Sequence, residues 1–445
     1  MKNFLRKALE WGKERVRPYY LRWLYFPLFP HREPKHFQNS WRYPSRKITQ
    51  NFQHPEGEGR KLPEILFFPM TDWHTRIQRT QHLARTFASR GHRCFYLNPH
   101  LGREFPRPYV FSNSPQLSIL EPLVAEVHVH LPLEPVFHDR LLNKSESTQI
   151  ASAFRTLFQA GGAKQSIQMV SFPLWLDVAL ELRREFGFPI LYDCHDVLSG
   201  FRKIAREIVE KEPQLFEASD LVIFSSQELL DENLARYPVL KDKSLLVRNA
   251  VDESWLQTSD TGRNTSAGNV SDIIVGYIGA LDFWFDIDAI EQAARLHPNW
   301  KFLLIGRVED NRILRLSRLP NILFAGEVPH SELHKYMAMF RAALIPFLRN
   351  NLTIGTNPIK LYEYFSYGLP VVSTRLPEME LFGSLVYLYN NAAQFVQQLE
   401  KAVAENDSAL RENRIRVAHQ ESWSARVDQL TAALRPLLAA TSGPS

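Results

Sequence analysis

The sequence has few cysteines and no long apolar run, and each absence argues against a class of protein. Only Cys94 and Cys194 occur among the 445 residues, so neither a disulfide framework nor a cysteine zinc site is predicted. No run of 18 or more apolar residues occurs, so no membrane-spanning helix is expected. No small-residue cleavage site follows the short apolar runs near the start, which argues against a secretory signal. We therefore expect a protein of the reducing cytoplasm.

Acidic residues are scarce at the start of the chain, where the positive charge is concentrated. The whole sequence has 53 Lys and Arg against 48 Asp and Glu, a net charge of +5. Residues 1–50 have 12 against 3, so the rest of the chain has 41 against 45 and is slightly acidic. Because the basic excess does not extend over a whole domain, a nucleic-acid-binding protein is not expected.

The basic segment also has apolar residues at helical spacing between its lysines and arginines. This pattern predicts a basic amphipathic helix that is interrupted at Pro18. Such a helix can lie on an anionic membrane surface with Trp11 and Trp23 at headgroup depth, which would make the protein peripheral on the inner face of the cell membrane. It can also pack on the protein with a solvated basic face, and the sequence leaves both interpretations open.

Strand-like and helix-like segments alternate in two series after this extension of residues 1–60. The first series occupies residues 61–256 and the second occupies residues 272–420. Residues 257–271 are polar and rich in Gly, Ser, Thr and Asn, which is typical of a linker. We predict an α/β protein with two doubly wound, Rossmann-like domains, followed by a C-terminal helix and tail in residues 421–445.

The most informative motif lies in residues 355–377, GTNPIKLYEYFSYGLPVVSTRLP. Asn357 and Pro358 suit the start of a helix, with Asn357 as its cap, which leaves backbone amides free for an anion. Lys360 and Glu363 share one helical face, which places a cation for a phosphate beside a carboxylate for vicinal hydroxyls. Taken alone, the same residues also fit an ordinary exposed Lys/Glu pair.

This motif resembles the C-terminal signature of nucleotide-sugar-dependent glycosyltransferases of family 4 and their relatives, in which Pro-x-Lys-x-x-Glu-Tyr precedes Gly-x-Pro-Val-Val. Six further segments resemble the teichuronic acid glycosyltransferase-like subgroup in the same order, over residues 64–435. They are FFPMTDWHTRIQRTQHLARTFASRGHRCFYLNP, LYDCHDVLSGFRK, SDLVIFSSQELL, VRNAVD, VGYIGALDFWFD and FLLIGRV. The resemblance implies the GT-B fold, with two Rossmann-like domains facing a cleft and a C-terminal helix that crosses back to the first domain. It also implies that Glu363 binds the ribose.

Candidate site residues of the first domain follow its predicted strands, because ligands of parallel sheets bind at the carboxyl ends of strands. His195 and Asp196 follow the strand that ends at Cys194, and the resemblance implies that they line the cleft near the transferred sugar. On the residues alone, Asp196 could instead cap the next helix. The resemblance places Trp73, Arg76 and Arg79 on the acceptor or phosphate side, and Arg79 also fits an exposed helical position.

The second domain supplies the candidate donor-binding residues. Gly279 and Arg307 follow strands, and glycine lets a phosphate or sugar approach the backbone closely. Thr356 and Asn357 precede the helix that carries Lys360 and Glu363. Arg307 could contact a phosphate or simply solvate a loop.

Three residues depart from the family pattern. Ala280 and Phe285 stand where many members have an Arg and a Lys for the diphosphate, and Gly355 stands where many have a first Glu. The cations must therefore come from elsewhere, with Lys360 and Arg307 as candidates, and the retaining stereochemistry usual in family 4 does not follow.

No metal ion or cofactor is expected from the sequence. The carboxylates Asp282, Asp286 and Asp288 include an Asp-x-Asp spacing, but they precede a helical run and fit a helix cap. The leaving diphosphate can be neutralised by side chains and helix ends without a metal ion.

We predict a glycosyltransferase that moves a sugar from a nucleoside-diphosphate sugar to a glycan or lipid-linked acceptor in cell-surface polysaccharide synthesis. Two alternatives stay open, a nucleotide-sugar epimerase of the same architecture and a catalytically degenerate nucleotide-binding scaffold. The missing Arg, Lys and first Glu keep the scaffold alternative open, whereas Lys360 and Glu363 argue against it.

Overall fold

The structure of the protein, a computed structural model, describes residues 40–42, 62–74, 76–101, 116–129, 131, 136–161, 165–256 and 273–441. The predicted amphipathic helix and its membrane contact lie outside these residues, as does the predicted linker 257–271. Within the described ranges, no helix is both long and apolar enough to cross a membrane.

The first sheet has nine strands, in the order β1-β4-β5-β3-β2-β6-β7-β8-β9. Its strands are β1 (Ser40–Arg42), β2 (Glu64–Phe68), β3 (Cys94–Leu97), β4 (Gln116–Glu121), β5 (Val124–His128), β6 (Ser166–Val170), β7 (Ile190–Cys194), β8 (Leu221–Phe224) and β9 (Ser244–Leu246). The pairs β1/β4 and β4/β5 are antiparallel, and the other pairs are parallel. One short piece of the N-terminal extension, Ser40–Arg42, is thus an edge strand of this sheet.

Helices pack on both faces of the first sheet. They are α1 (Arg79–Ser89), α2 (Lys144–Gly161), α3 (Leu176–Phe186), α4 (Arg206–Val209), α5 (Glu212–Ala218) and α6 (Gln227–Arg236). The central strands are continuous apolar runs, as expected of parallel strands covered on both faces.

The second sheet has six parallel strands, in the order β12-β11-β10-β13-β14-β15. Its strands are β10 (Ile274–Ile278), β11 (Lys301–Ile305), β12 (Ile322–Gly326), β13 (Ala342–Ile345), β14 (Val371–Thr374) and β15 (Val386–Tyr389). This is the 3-2-1-4-5-6 order of dinucleotide-binding folds, in which the strand order reverses between β10 and β13.

The second sheet is likewise covered by helices. They are α7 (Ile287–Leu296), α8 (Leu333–Met337), α9 (Asn351–Ile354), α10 (Ile359–Ser366), α11 (Pro377–Glu380), α12 (Ala392–Ala404) and α13 (Ser408–Gln420). Asp286 caps α7 by accepting a hydrogen bond from the Ala289 amide, so the cap predicted for this acidic segment is present.

The last helix, α14 (Trp423–Thr441), leaves the second domain and packs on the first. Its buried residues Trp423, Val427 and Leu430 share a core cluster with Leu83 and Phe87 of α1. The predicted architecture of two doubly wound domains with a C-terminal helix that crosses back is therefore confirmed.

Candidate active site between the two domains

A cavity of about 1190 Å³ lies between the two domains, where the carboxyl ends of their strands face each other. Ten of the eleven residues predicted for the site line it: Trp73, Arg76, Arg79, His195, Asp196, Gly279, Arg307, Thr356, Asn357 and Lys360. Glu363, the remaining one, lies behind the cavity wall and is 2% exposed. The residues that were chosen because they follow strands in both domains therefore line one common cleft.

His195 follows β7 and is held by its own strand end. Its Nδ1 lies 3.0 Å from the Asp193 backbone oxygen, and its Nε2 lies 3.7 Å from a carboxylate oxygen of Asp196. Asp196 makes no helix cap, because the next short 3₁₀ turn, Leu198–Gly200, has no side-chain cap. Burial raises the pKa of Asp196, although the charge of His195 opposes the rise. The two side chains lie together on the cleft wall.

Arg79 is buried and is not an exposed helical arginine, so that alternative is wrong. Its Nε donates to Asp193 at 2.8 Å, and its Nη1 donates to Asn249 at 3.0 Å. The third nitrogen of the guanidinium, Nη2, has no hydrogen-bond partner. Arg79 therefore joins α1 to β7, and its Nη2 is left to donate a hydrogen bond to another group.

Arg76 lies in the extended segment before α1, which begins only at Arg79. Among the described residues, its side chain makes no hydrogen bond or ion pair, and its Nε is buried. Its charge acts on Tyr277, at the end of β10, whose pKa is raised chiefly by burial. Arg76 thus brings an uncompensated positive charge from the first domain towards the strand end that carries Gly279.

Arg307 has its charge offset by a neighbour. Its Nε donates to Glu309 at 2.7 Å, and the side chain is 51% exposed. Lys203 of the first domain approaches the same carboxylate at 3.3 Å, and Arg202 lies 4.3 Å from the ring centroid of Phe283. These contacts join the two domains at the mouth of the cleft.

Gly279 and Gly306 are packed against each other at the ends of β10 and β11. A Cβ atom on Gly306 would stand 1.8 Å from the Gly279 backbone oxygen, and Gly306 has a φ of +141°. The two glycines therefore let neighbouring strand ends meet closely, which keeps the backbone accessible to a ligand on the cleft side.

Lys360 and Glu363 form a pair at the cleft wall on α10. The Lys360 Nζ lies 2.6 Å from Glu363 Oε2, and His330 Nε2 lies 3.6 Å from Oε1. Burial alone would raise the pKa of Glu363, but the Lys360 charge and the His330 contact outweigh it and lower the pKa to about 2. Glu363 is thus held as a carboxylate, with one oxygen towards Lys360 and the other towards His330.

Asn357 does not cap α10, so this prediction is wrong. The cap position is Pro358, which offers no side-chain acceptor. The Asn357 amide donates instead to Tyr362 at 3.0 Å and to Glu378 at 2.7 Å, and its oxygen accepts from the Asn249 backbone. The side chain is committed to joining the two domains, which leaves little capacity for a ligand.

Gly355 is a point of close contact between the domains. A Cβ atom there would stand 2.8 Å from Val197 Cγ2, and the Gly355 carbonyl accepts a hydrogen bond from Ser226 Oγ. A glutamate at this position has no room in this arrangement, which explains physically why the first Glu of the family pattern is absent.

A buried polar network beside the cleft was missed at the sequence level. Glu126 of β5 is fully buried and accepts from Asn98 at 2.8 Å, and it also contacts His74 and His128. Burial would raise the pKa of Glu126, but the His128 charge and the two histidine contacts lower it. The alternation Glu126, His128, His130 within VAEVHVH was the available signal, and β5 was not predicted.

His138 and His330 were also missed, and both line the cleft. The Nε2 atom of each is buried without a hydrogen-bond partner. His330 follows the end of β12, so the strand-end rule could have found it. His82, His330 and Glu363 offer three ligand atoms within 4.8 Å of one another and could hold a metal ion.

A second cavity of about 520 Å³ lies on the second domain, against α7 and the 3₁₀ segment Asn311–Arg318. Arg312 is paired there with Asp310, and Arg315 with Asp288. It receives no residue from the first domain, so it lacks the convergence of strand ends that marks the larger cleft.

Comparisons with known proteins agree with this geometry. The family model described as glycosyl transferases group 1 matches residues 273–405, most of the second domain. TuaH of Bacillus subtilis, provisionally named a teichuronic acid biosynthesis glycosyltransferase, is 26% identical over 274 residues, which cover 55% of this chain and 68% of TuaH.

Two solved structures show the fold. The sucrose-phosphate synthase of Thermosynechococcus elongatus matches with a TM-score of 0.62 and 17% identity, over 85% of this chain and all of that one. HepE of Anabaena, solved in complex with UDP and glucose, matches with a TM-score of 0.57 and 13% identity, over 84% of this chain and all of that one.

Proposed function

We propose that this chain, which is similar to group 1 glycosyl transferases and to TuaH and has a GT-B fold, transfers a hexose from a nucleoside-diphosphate sugar to a hydroxyl group of a glycan or lipid-linked acceptor. The observation that carries the proposal is the convergence of Arg76, His195 and Lys360 on one cleft at the strand ends of both domains. The relationship to TuaH supports an acceptor in cell-surface polysaccharide synthesis.

The donor diphosphate lies between Gly279 and the start of α10 in this account. Arg76 supplies the positive charge from the opposite domain and compensates for Ala280 and Phe285. Its planar guanidinium suits two phosphate oxygens at once. Lys360 supplies a second cation from the second domain. Arg307 contributes less, since Glu309 offsets its charge.

The Lys360–Glu363 pair holds both side chains at the donor site before the donor binds. When the diphosphate binds, the Lys360 ammonium turns from Glu363 Oε2 to a phosphate oxygen. Oε2 then becomes free to accept from the ribose hydroxyls, while Oε1 stays towards His330. Because the pKa of Glu363 is held near 2, the carboxylate is ionised throughout the physiological range.

The transfer step breaks the bond between the sugar C1 and the diphosphate oxygen and forms a bond from C1 to the acceptor oxygen, and the proton of the acceptor hydroxyl passes to the leaving diphosphate. Negative charge grows on the leaving diphosphate, so Arg76 and Lys360 stabilise the transition state more than the ground state. His195 and Asp196 line the reacting sugar in this proposal. The reaction needs no redox cofactor and no metal ion at the reacting centre in this proposal, since the fixed charges of Arg76 and Lys360 stabilise the leaving diphosphate.

Closure of the cleft protects the donor from water. The contacts Lys203–Glu309 and Arg202–Phe283 join the domains at the cleft mouth, and we assign them to the closed state. The basic segment of residues 1–50 then brings the enzyme to an anionic membrane surface, where a lipid-linked acceptor would lie.

A thermal-shift screen of uridine, guanosine and thymidine diphosphate sugars tests the donor site. We expect one base to raise the Tm of the wild-type protein. Glu363→Gln removes the charge that accepts from the ribose and should weaken binding at least about tenfold. The matched control is Glu332→Gln, an exposed glutamate near the same wall, which should bind like the wild type. No shift for any donor, or equal binding by Glu363→Gln, would contradict the donor site.

A further inference from the structure

Three metal-ligating side chains meet behind the cleft wall, and they come from both domains. His82 belongs to α1 of the first domain, His330 follows β12 of the second domain, and Glu363 belongs to α10. One atom of each lies within 4.8 Å of the other two. His330 lines the cleft whereas His82 and Glu363 do not, so the cluster lies behind the part of the wall that faces the donor and not among the residues assigned to the reacting sugar.

The two imidazoles direct unsatisfied nitrogens into this cluster. His82 Nε2 and His330 Nε2 are buried, and neither has a hydrogen-bond partner. His82 as a whole is 2% exposed, and its ring stacks on Trp423 at an interplanar angle of 11°. A buried nitrogen without a partner costs free energy, so two of them beside one carboxylate indicate that something else binds there.

The opposite side of the His82 ring has the environment of a metal-bound histidine. Its Nδ1 lies 3.5 Å from Asp252 Oδ2, and a carboxylate in that position keeps the proton on Nδ1 and the lone pair on Nε2. Ser254 in turn donates its backbone amide to Asp252. Arg79, one turn earlier on α1, has its charge offset by Asp193, so it does not oppose a cation.

The spacing of the cluster is close to that of a tetrahedral site. Zinc bonds of roughly 2.0–2.2 Å to imidazole nitrogen and carboxylate oxygen place neighbouring ligand atoms about 3.3 Å apart. The His330 Nε2 and Glu363 Oε1 atoms are already 3.6 Å apart. All three ligand atoms lie within 4.8 Å of one another, so the side chains have to draw closer together around the ion.

We propose that His82, His330 and Glu363 bind a divalent first-row metal ion, with Zn²⁺ as the best match to two imidazoles and one carboxylate. The ion completes its coordination with water and joins α1 of the first domain to the second domain. It uses Oε1 of Glu363 and leaves Oε2 for Lys360. The site adds a metal that the sequence did not predict, and it is distinct from the proposed transfer chemistry, which has no metal at the reacting centre.

The ion has a positioning role within the proposed function. By holding Oε1, it fixes the orientation in which Oε2 faces the cleft, so that the ribose meets a preorganised acceptor. Metal binding itself does not depend on the donor, so the two proposals can fail separately.

Cobalt titration of the chelator-treated full-length protein tests the site. We expect one equivalent of Co²⁺ to bind, with the visible absorption of a four-coordinate site, and Zn²⁺ to displace it. His330→Ala should lower the affinity at least about 100-fold, and Asp252→Asn about 10- to 100-fold. The matched control is His334→Ala, a partly exposed histidine one turn away whose Nδ1 lies 2.7 Å from the Ser331 backbone oxygen, which should bind like the wild type.

Binding of Zn²⁺ should also raise the Tm of the wild type and of His334→Ala, but not of His330→Ala. His330 is partly exposed, so its truncation leaves the fold intact, and a circular dichroism spectrum checks this. Failure of the wild type to bind one equivalent, or equal affinity in His330→Ala, would overturn the proposal. In that outcome His330 is only a neighbour of Glu363, at 3.6 Å, and not a metal ligand. A protein that binds Co²⁺ but no nucleotide would retain the metal site and refute the donor site.

Discussion

Single residues decide how this cleft obtains its positive charge. The family pattern places cations at positions 280 and 285, and this chain has Ala280 and Phe285 there. Arg307 follows a strand of the same domain, but Glu309 offsets its charge. Arg76 approaches from the other domain without an ion pair among the described residues. Arg76 therefore replaces the missing cations from the other side of the cleft. Its position at the phosphates depends on how the two domains meet.

Arg76→Gln should weaken nucleoside diphosphate binding by about 10- to 100-fold, because a charge-assisted hydrogen bond of this kind contributes about 1.5–3 kcal/mol. Arg307→Gln should weaken it less than about fivefold, since Glu309 already neutralises that side chain. Isothermal titration calorimetry on both variants measures the difference. Equal losses in the two variants would mean that Arg76 has no special position at the phosphates.

Glu212 is a residue whose ionisation should make stability depend on pH. Burial raises its pKa from 4.5 to about 7, although hydrogen bonds from Tyr192 and Cys194 oppose the rise. The folded protein therefore holds this proton more tightly than the unfolded chain does. The associated stabilisation is complete below pH 4.5 and is lost as the pH rises through about 7.

Glu212→Gln should remove this decline, which amounts to at most about 3 kcal/mol for a shift of this size. Urea unfolding at pH 5 and pH 8 measures the free energy of unfolding of both proteins. The variant should gain stability relative to the wild type at pH 8 but not at pH 5. A difference between the two proteins that is the same at both pH values would show that Glu212 does not titrate in this range.

At the scale of elements, the sequence predicted those with strong local signals and missed those defined by distant partners. The helix cap predicted for the acidic segment is formed by Asp286 at the start of α7, since an aspartate before a helical run is a local signal. The strands Gln116–Glu121, second from one edge of the first sheet, and Ser244–Leu246, at its other edge, were missed. Their residues are of mixed polarity, and only the neighbouring strands fix them in the sheet.

The start of α1 is likewise fixed by contacts that the local sequence pattern does not reveal. The helical spacing of apolar residues in the sequence extends back to Arg76, but the helix begins at Arg79, after Gln78 forms a capping box with Gln81. The Gln81 side chain also donates to the Arg76 backbone oxygen. Those contacts keep residues 76–78 extended and place Arg76 in the cleft, which periodicity alone could not show.

The turn before α10 is an element whose glycine sets the distance between the domains. Gly355→Ala would push a Cβ atom to 2.8 Å from Val197 Cγ2, so we expect a loss of about 1–3 kcal/mol of stability or a wider domain opening. Chemical denaturation and the radius of gyration from small-angle scattering measure the two effects. Val197→Ala should restore most of the loss when it is combined with Gly355→Ala. Additive effects of the two substitutions would show that they do not share a contact.

For the whole molecule, a buried polar network joins the two domains beneath the cleft. Glu378 of the second domain is 1% exposed and pairs with Arg248 of the first domain at 2.8 Å. It also accepts from Asn357 and from the Gln227 backbone amide. Since α14 crosses back to the first sheet as well, the domains are linked on more than one side, and the donor site is assembled only when they meet.

The most direct test of this account is a crystal structure of the full-length protein with a bound nucleoside diphosphate. The account predicts the diphosphate between Gly279 and Arg76, within hydrogen-bond distance of Arg76 and of Lys360 Nζ, with the ribose hydroxyls on Glu363 Oε2. A nucleotide bound elsewhere, such as in the 520 Å³ cavity, or one in the cleft that leaves Arg76 without a phosphate contact, would contradict it.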